Sequence, residues 1–390
     1  MNAKPFVILL LVLFVIGVFP KIELVKAQDT IYIRADGRVE GTDKIQQDGD
    51  VYFFVENLNG PIIIEKDNVV VNGNGYTLTG VTDNQGFYLD NIDNAIIQNV
   101  TIEGCNNGFL LYSSYNNTLT GNSITGNTVG IRLQYSTNTV ITENIVQNNK
   151  QTGIYCYRTR NLVITHNLIT NNGNNGIEFG SSSVNCFVSE NKILNSGLNG
   201  IKLDWASNTT LTKNTIQNSA QDGVRVYESR NNTFSRNNIN NNQENGICLT
   251  TYSFDNLVFL NNITSNREYG LKNKQYSGIN LIHHNNFVDN GYQATNYPGE
   301  TNTWGWDNGF SSGGNYWSDY SGTDLDGDGI GDSVYTIGGK NQDNYPLMNP
   351  VDINTKQEFN TIPEFGSWII LPFFLISSLA VILYRKKMKN

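Results

Sequence analysis

Near the end of the chain stands the run Asp324-x-Asp326-x-Asp328-Gly329-Ile330-x-Asp332. Carboxylates at alternate positions, with glycine at the sixth to permit the bend, match the first nine positions of a calcium loop of EF-hand type. The main-chain carbonyl of Ile330 would supply the seventh-position oxygen. Where such a loop places a bidentate Glu, this chain has Tyr335. The expectation is therefore a structural calcium site of the weak kind found in extracellular modules, tying a cap together.

A second group of reactive side chains lies mid-chain: Glu178, Lys202, Asp204 and Arg225, interspersed with Tyr155, Tyr157, Trp205 and Tyr227. Aromatic planes beside charged hydrogen-bonding groups suit a sugar chain, and these four aromatics are the candidate ligand contacts. The same residues also suit a plain solvated strand face, where Tyr is favoured and opposite charges pair across neighbours. Glycoside hydrolysis needs two carboxylates flanking a bond. Glu178 and Asp204, with Lys202 and Arg225 beside them, are the candidates, about 8 Å apart by strand geometry. Metal chemistry has less to work with. His283 and His284 are adjacent, so on a strand they should point to opposite faces, and His166 lies far from both. Cys105, Cys156, Cys186 and Cys248 differ in phase, which predicts buried free thiols rather than disulfides.

What positions these groups is a repeat. Gly followed by an apolar residue recurs at Gly86, Gly108, Gly130, Gly153, Gly176, Gly200, Gly223, Gly246 and Gly270. A column of Asn runs in parallel through Asn122, Asn144, Asn167, Asn191, Asn214, Asn237, Asn261 and Asn285, with apolar residues two places after and three places before each. Within a unit the alternation has period 2, as in Ile131-Arg132-Leu133-Gln134, which is strand patterning in runs too short for a helix. Three short strands and three turns in about 23 residues make one turn of a parallel β-helix, each backbone pairing with the next at roughly 4.8 Å. Asn suits its turns because it tolerates left-handed backbone and its amides stack. The fold expected is all-β, a single-stranded right-handed parallel β-helix with capping segments and a C-terminal transmembrane helix.

The two ends read as membrane-directed. Residues 1–27 have Lys4, an apolar run and Val25-Lys26-Ala27, the layout of a signal peptide. Residues 28–80 should form the N-terminal cap and first coils, 81–290 the repeats, 291–348 an irregular C-terminal cap and 349–366 a linker. Residues 367–390 hold Trp368 to Tyr384, apolar and just long enough to span a bilayer, then a basic cluster expected to stay cytoplasmic. With 26 Lys+Arg against 35 Asp+Glu the chain has a net charge of −9, which argues against nucleic-acid binding. Sequons stand at Asn99, Asn116, Asn208, Asn231 and Asn262. Asn116, Asn208 and Asn231 share one turn phase, which predicts exposure and makes them the glycosylation candidates.

These repeats resemble the right-handed β-helix repeats of the family named after NosD, a periplasmic accessory protein of nitrous-oxide reductase. Gly314-Asn315-Tyr316-Trp317-Ser318-Asp319-Tyr320, the Asp-rich run and Asp343-Asn344-Tyr345-Pro346-Leu347 are similar to the endings of archaeal surface proteins of this kind. Ile362-Pro363-Glu364-Phe365 resembles a Pro-Glu-Phe sorting signal, which implies a sortase-like enzyme that removes the tail. The expected protein is an exported, surface-anchored module that binds polysaccharide or envelope glycan or serves a structural, adhesive role. Alternatives are a polysaccharide lyase or glycoside hydrolase acting along the solenoid face and, from the family name alone, a copper-maturation accessory.

Overall fold

The computed structural model describes residues 30–81, 83–274, 277–296, 305–338 and 341–354. The signal segment and the C-terminal anchor expected from the sequence lie outside the described residues. Among the described residues no helix is long and apolar enough to cross a membrane. The unit through Ile353 is the solenoid with its caps, whereas the unit Asn354–Asn390 is almost wholly outside the described residues.

Three ladders of 13, 12 and 12 strands, parallel except for the first strand of two of them, run the length of the solenoid. One coil shows how the sequence builds it. Its strands are Ile201–Asp204, Thr210–Thr212 and Thr215–Gln217. Ile201, Leu203, Leu211 and Ile216 point inward and are fully buried, and each stacks on its equivalent in the next coil, as Ile201 on Val224 and Leu211 on Phe234. The hydrophobic columns are thus continuous, and burying them is the main force that closes each coil.

Corners must satisfy backbone groups that no strand pairs. This coil turns at four residues with positive φ, Trp205 (56°), Asn208 (54°), Lys213 (55°) and Asn218 (56°), and glycine takes equivalent corners in earlier coils, as at Gly121 and Gly126. The residue after each, Ala206, Thr209, Asn214 and Ser219, points inward and is buried. The Asn column seen in the sequence is one of these inward positions. Asn191 shows the pattern: its main-chain N–H donates to Asn214 Oδ1 at 3.0 Å, and its Nδ2 donates to Ile164 O at 2.8 Å and Asn214 Oδ1 at 3.0 Å. At this corner the left-handed residue is the one before, such as Glu143, His166 or Lys213. The column Asn therefore serves as a ladder rung, and its tolerance of left-handed backbone is used at other corners, for example at Asn208.

The repeated glycine has a different cause. A Cβ on Gly200 would lie 2.3 Å from Ile216 Cγ2 and 2.6 Å from the carbonyl of Gly223. This corner is too tight for any side chain, and glycine is there for space.

At the N-terminal end, Val39–Glu40 pairs antiparallel with Ile31–Ile33, and the hairpin Ile45–Asp48/Val51–Phe54 covers the next ladder. Short antiparallel strands thereby form the N-terminal edges of these two sheets, and a short edge strand is a poor template for pairing with another chain. At the other end the repeat pattern fades after Gly291 but the ladders run on. Tyr292–Thr295 and Tyr316–Trp317 add rungs to the first and third sheets, and Asn315 accepts from Asn285 N at 3.1 Å as the next rung of the Asn column. The core is closed by stacked rings, Phe287 on Trp317 at 4.5 Å and Trp317 on Tyr335 at 4.3 Å.

Candidate functional site

The outward residues of the first sheet fall into the columns the spacing predicts. Arg132, Tyr155, Glu178, Lys202 and Arg225 stand on successive coils, and Gln134, Tyr157 and Gly180 form the neighbouring column, with Asp204 and Tyr227 in register farther along. Strand alternation points Tyr155 and Tyr157 to solvent while Cys156 between them is buried. Trp205 is not on the sheet itself. It occupies the adjoining left-handed corner, where it is 54% exposed.

The corner supplies contacts that spacing alone does not reveal. Tyr135, also a left-handed corner residue, lies edge-to-face between Tyr112 at 5.5 Å and Tyr157 at 5.7 Å. Arg158 rests over both Tyr135 and Tyr157, at 5.8 and 5.4 Å from the ring centres, and Arg132 over Tyr155 at 5.2 Å. Opposite Tyr157 the ladder has Gly180. A Cβ there would come within 3.2 Å of the Tyr155 hydroxyl, so the missing side chain leaves room for the ring. The result is a string of aromatic faces and guanidinium planes over successive coils, with Trp205 farther along.

Glu178 and Asp204 are brought together around Lys202, whose Nζ lies 3.3 Å from Glu178 Oε1 and 2.8 Å from Asp204 Oδ2. Burial alone would lower the Lys202 pKa, but the hydrogen bond to Asp204 and the charge of Glu178 outweigh it and hold the ammonium above its ordinary value. Glu178 also accepts from Asn175 Nδ2 at 2.8 Å. Arg225 turns instead to Asp222, a buried carboxylate at 3.3 Å that also takes a bond from Asn245 Nδ2 at 2.6 Å. Each of these charges is matched by a partner within the fold. Between the two candidate acids sits an ammonium, where glycoside hydrolysis would place the glycosidic bond.

In the acidic loop, Asp324, Asp326 and Asp328 each place a carboxylate oxygen within 4.8 Å of the other two. The bend is made by Gly327 and Gly329, both with positive φ. Asp324 accepts from the main-chain N–H groups of Gly327 at 2.7 Å and Gly329 at 2.9 Å. Desolvation works the other way, yet these donors hold its carboxyl below the usual range. Asp332 accepts from Leu325 N at 2.9 Å and Thr323 Oγ1 at 3.3 Å. Ile330 bridges to Leu347, Gly331 N donates to Pro346 O at 2.8 Å and Met348 N donates to Gly329 O at 3.0 Å, so the loop is pinned to the end of the cap. Three carboxylates on a bent, anchored loop fit a hard cation.

The histidine expectation fails. His284 takes a left-handed conformation (φ 55°) directly after the strand Leu281–His283. Its ring therefore swings back, and the two Nδ1 atoms meet at 2.8 Å. Both rings are buried, and burial, with the other ring's charge, pushes His283 down to about 3. All four cysteines are free and buried. Desolvation pushes Cys105, Cys186 and Cys248 up to about 12, and Cys156 well above its ordinary value. Asn116, Asn208 and Asn231 are exposed on one left-handed corner column.

The NosD family of periplasmic copper-binding proteins matches this sequence twice, over residues 25–185 and 174–322. The chain belongs to that family. Among solved structures, this NosD-family β-helix is similar to the periplasmic alginate epimerase AlgG, with 15% identity and a TM-score of 0.51 over 68% of this chain and 83% of that one. It is also similar to the A-module of the Azotobacter vinelandii mannuronan C-5 epimerase AlgE4. There the identity is 16% and the TM-score 0.50, over 64% of this chain and 79% of that one. At such identity the likeness is one of fold. No curated protein matches the chain.

Proposed function

We propose that this NosD-family member is an exported β-helix that binds an extended glycan along the first sheet and its adjoining corner. The observation that carries this is the aromatic string: Tyr112, Tyr135 and Tyr157 in edge-to-face contact on successive coils, then Trp205 standing exposed beyond them. The apolar faces of sugar rings stack on such planes, and their hydroxyls use the polar edges beside them. A polymer with a repeating unit suits a platform that repeats coil by coil. The solved neighbours named for alginate and mannuronan lend support at the level of fold, and the family's periplasmic description supports export.

The enzymatic alternative, a lyase or hydrolase using Glu178 and Asp204, has against it the ammonium of Lys202 lodged between them. A copper-handling role has only the family's printed description behind it. The His283–His284 pair is turned on itself, and His284 Nε2 lies 2.7 Å from the Ser312 carbonyl oxygen.

The rest of the reading follows from location. Residues 1–27 serve as signal peptide, and residues 367–390 anchor the chain unless a sortase-like enzyme removes them. Asn116, Asn208 and Asn231 carry glycans where the host glycosylates exported proteins. Asp324, Asp326 and Asp328 hold a structural calcium ion, with the Ile330 carbonyl and Asp332 as the remaining expected ligands. A glycan array followed by analysis of the products tests the central reading: binding without cleavage is expected, whereas new reducing or unsaturated ends would establish the enzyme instead.

A further inference from the structure

Positive charge on the glycan face is unevenly compensated. Lys202 and Arg225 are ion-paired to the acids beside them. Two coils toward the N-terminus the pattern changes. Among the described residues no carboxylate lies within ion-pair reach of Arg132, Arg158 or Arg160. Arg132 meets the neutral side-chain oxygen of Gln134, at 3.0 Å from Nε and 2.9 Å from Nη2. Across the ladder it faces Leu110 and Tyr155, and Arg160 bridges Thr137 and Val184. Arg158 and Arg160 are exposed. Three guanidiniums without a carboxylate partner therefore stand on two adjacent coils, beside the aromatic string.

Two of them are also held in place by rings, Arg132 over Tyr155 and Arg158 over Tyr135 and Tyr157. Stacking fixes the guanidinium plane; in Arg132 the Nε–Nη2 edge is taken by Gln134 and Nη1 is left to donate, and a guanidinium so held is oriented to meet a carboxylate through charge-assisted hydrogen bonds. Coils about 4.8 Å apart set Arg132 on one coil and Arg158 and Arg160 on the next, a spacing that neighbouring units of an acidic sugar polymer can follow.

We propose that the bound glycan is a polyuronate, its carboxylates received by Arg132, Arg158 and Arg160 while its rings lie on Tyr135, Tyr155 and Tyr157. This inference rests on the glycan reading above and specifies the ligand class. The test is calorimetric titration of the full chain with polygalacturonate oligomers and with the same oligomers fully methyl-esterified, which removes the charge and keeps the chain. The acid form should bind about tenfold or more tightly than the ester, the size of one charge-assisted pair, and the preference should shrink as salt rises. R132Q/R158Q/R160Q should bring the ratio of acid to ester affinity to about one, with the fold checked by the melting temperature. Equal affinity for acid and ester in the wild type, or a preference that survives the triple variant, overturns the polyuronate assignment while the glycan reading stands. Failure of both oligomers to bind overturns both.

Discussion

Asp343 illustrates how a single residue closes the solenoid. Buried beneath the cap, its Oδ2 accepts from Asn315 N at 2.7 Å and Trp317 Nε1 at 2.9 Å, and its Oδ1 from Tyr345 N at 3.0 Å. Burial, acting against these donors, pushes its carboxyl from 3.8 up to about 6. Between those values the folded protein holds a proton that the unfolded chain has released, so this residue's contribution to stability is full below about pH 4 and declines as pH rises toward about 6. D343N sets an NH2 against an N–H donor and should lose about 1–3 kcal/mol. The deficit should be largest near pH 4 and smaller above pH 6, because the variant has no proton to release; urea unfolding at several pH values measures it, and a deficit independent of pH would refute the shift. The Asn column makes a similar demand. Asn191→Ala strips the rung that receives Asn167 N and Nδ2 at 3.0 and 2.9 Å, and at about 1–3 kcal/mol for each buried group left unpaired it should destabilise visibly in the same assay.

At the scale of the element, the tight corner argues for Gly200. G200A drives a methyl into Ile216 and the Gly223 carbonyl, an overpacking expected to cost about 1–3 kcal/mol. A neutral result in thermal melting would mean that the coil relaxes freely. Gly200 was visible in the sequence because every coil meets the same clash and so repeats the same residue. The inward Ile and Asn columns were visible for the same reason, and they made the coil legible without a structure. Tyr135 and Arg158 were not, because a left-handed corner residue points to solvent and accepts Tyr, Arg, Trp or Glu alike, so no column marks it. The histidines misled because strand alternation was extended one residue past the strand's end, to a position whose backbone turns. Asn315 was hidden by the insertion that separates it from Asn285. Of the candidate site, the aromatic columns on the sheet and Trp205 at the corner were legible, and the corner residues Tyr135 and Arg158 that join them were not.

For the molecule as a whole, stability should be set by its ends, since each coil needs only its neighbours and an open end exposes the core. The acidic loop is pinned to the last residues of the C-terminal cap through the Ile330–Leu347 bridge. An ion held by Asp324, Asp326 and Asp328 would therefore clamp that end. Millimolar calcium, the range of weak extracellular sites, should raise the melting temperature of the wild type and leave D326A/D328A unmoved. An equal rise in both would place the ion elsewhere, and no rise in either would remove it. The central claim is that the solenoid reads a glycan with its aromatic string, and titration of the full chain with oligosaccharides of increasing length tests it most directly. Affinity should rise with length until the oligomer spans the coils from Tyr112 to Trp205, and Y157A should weaken the long oligomers by about tenfold, given about 1.4 kcal/mol for a lost ring contact. Affinity that is independent of length and indifferent to Y157A would contradict the account.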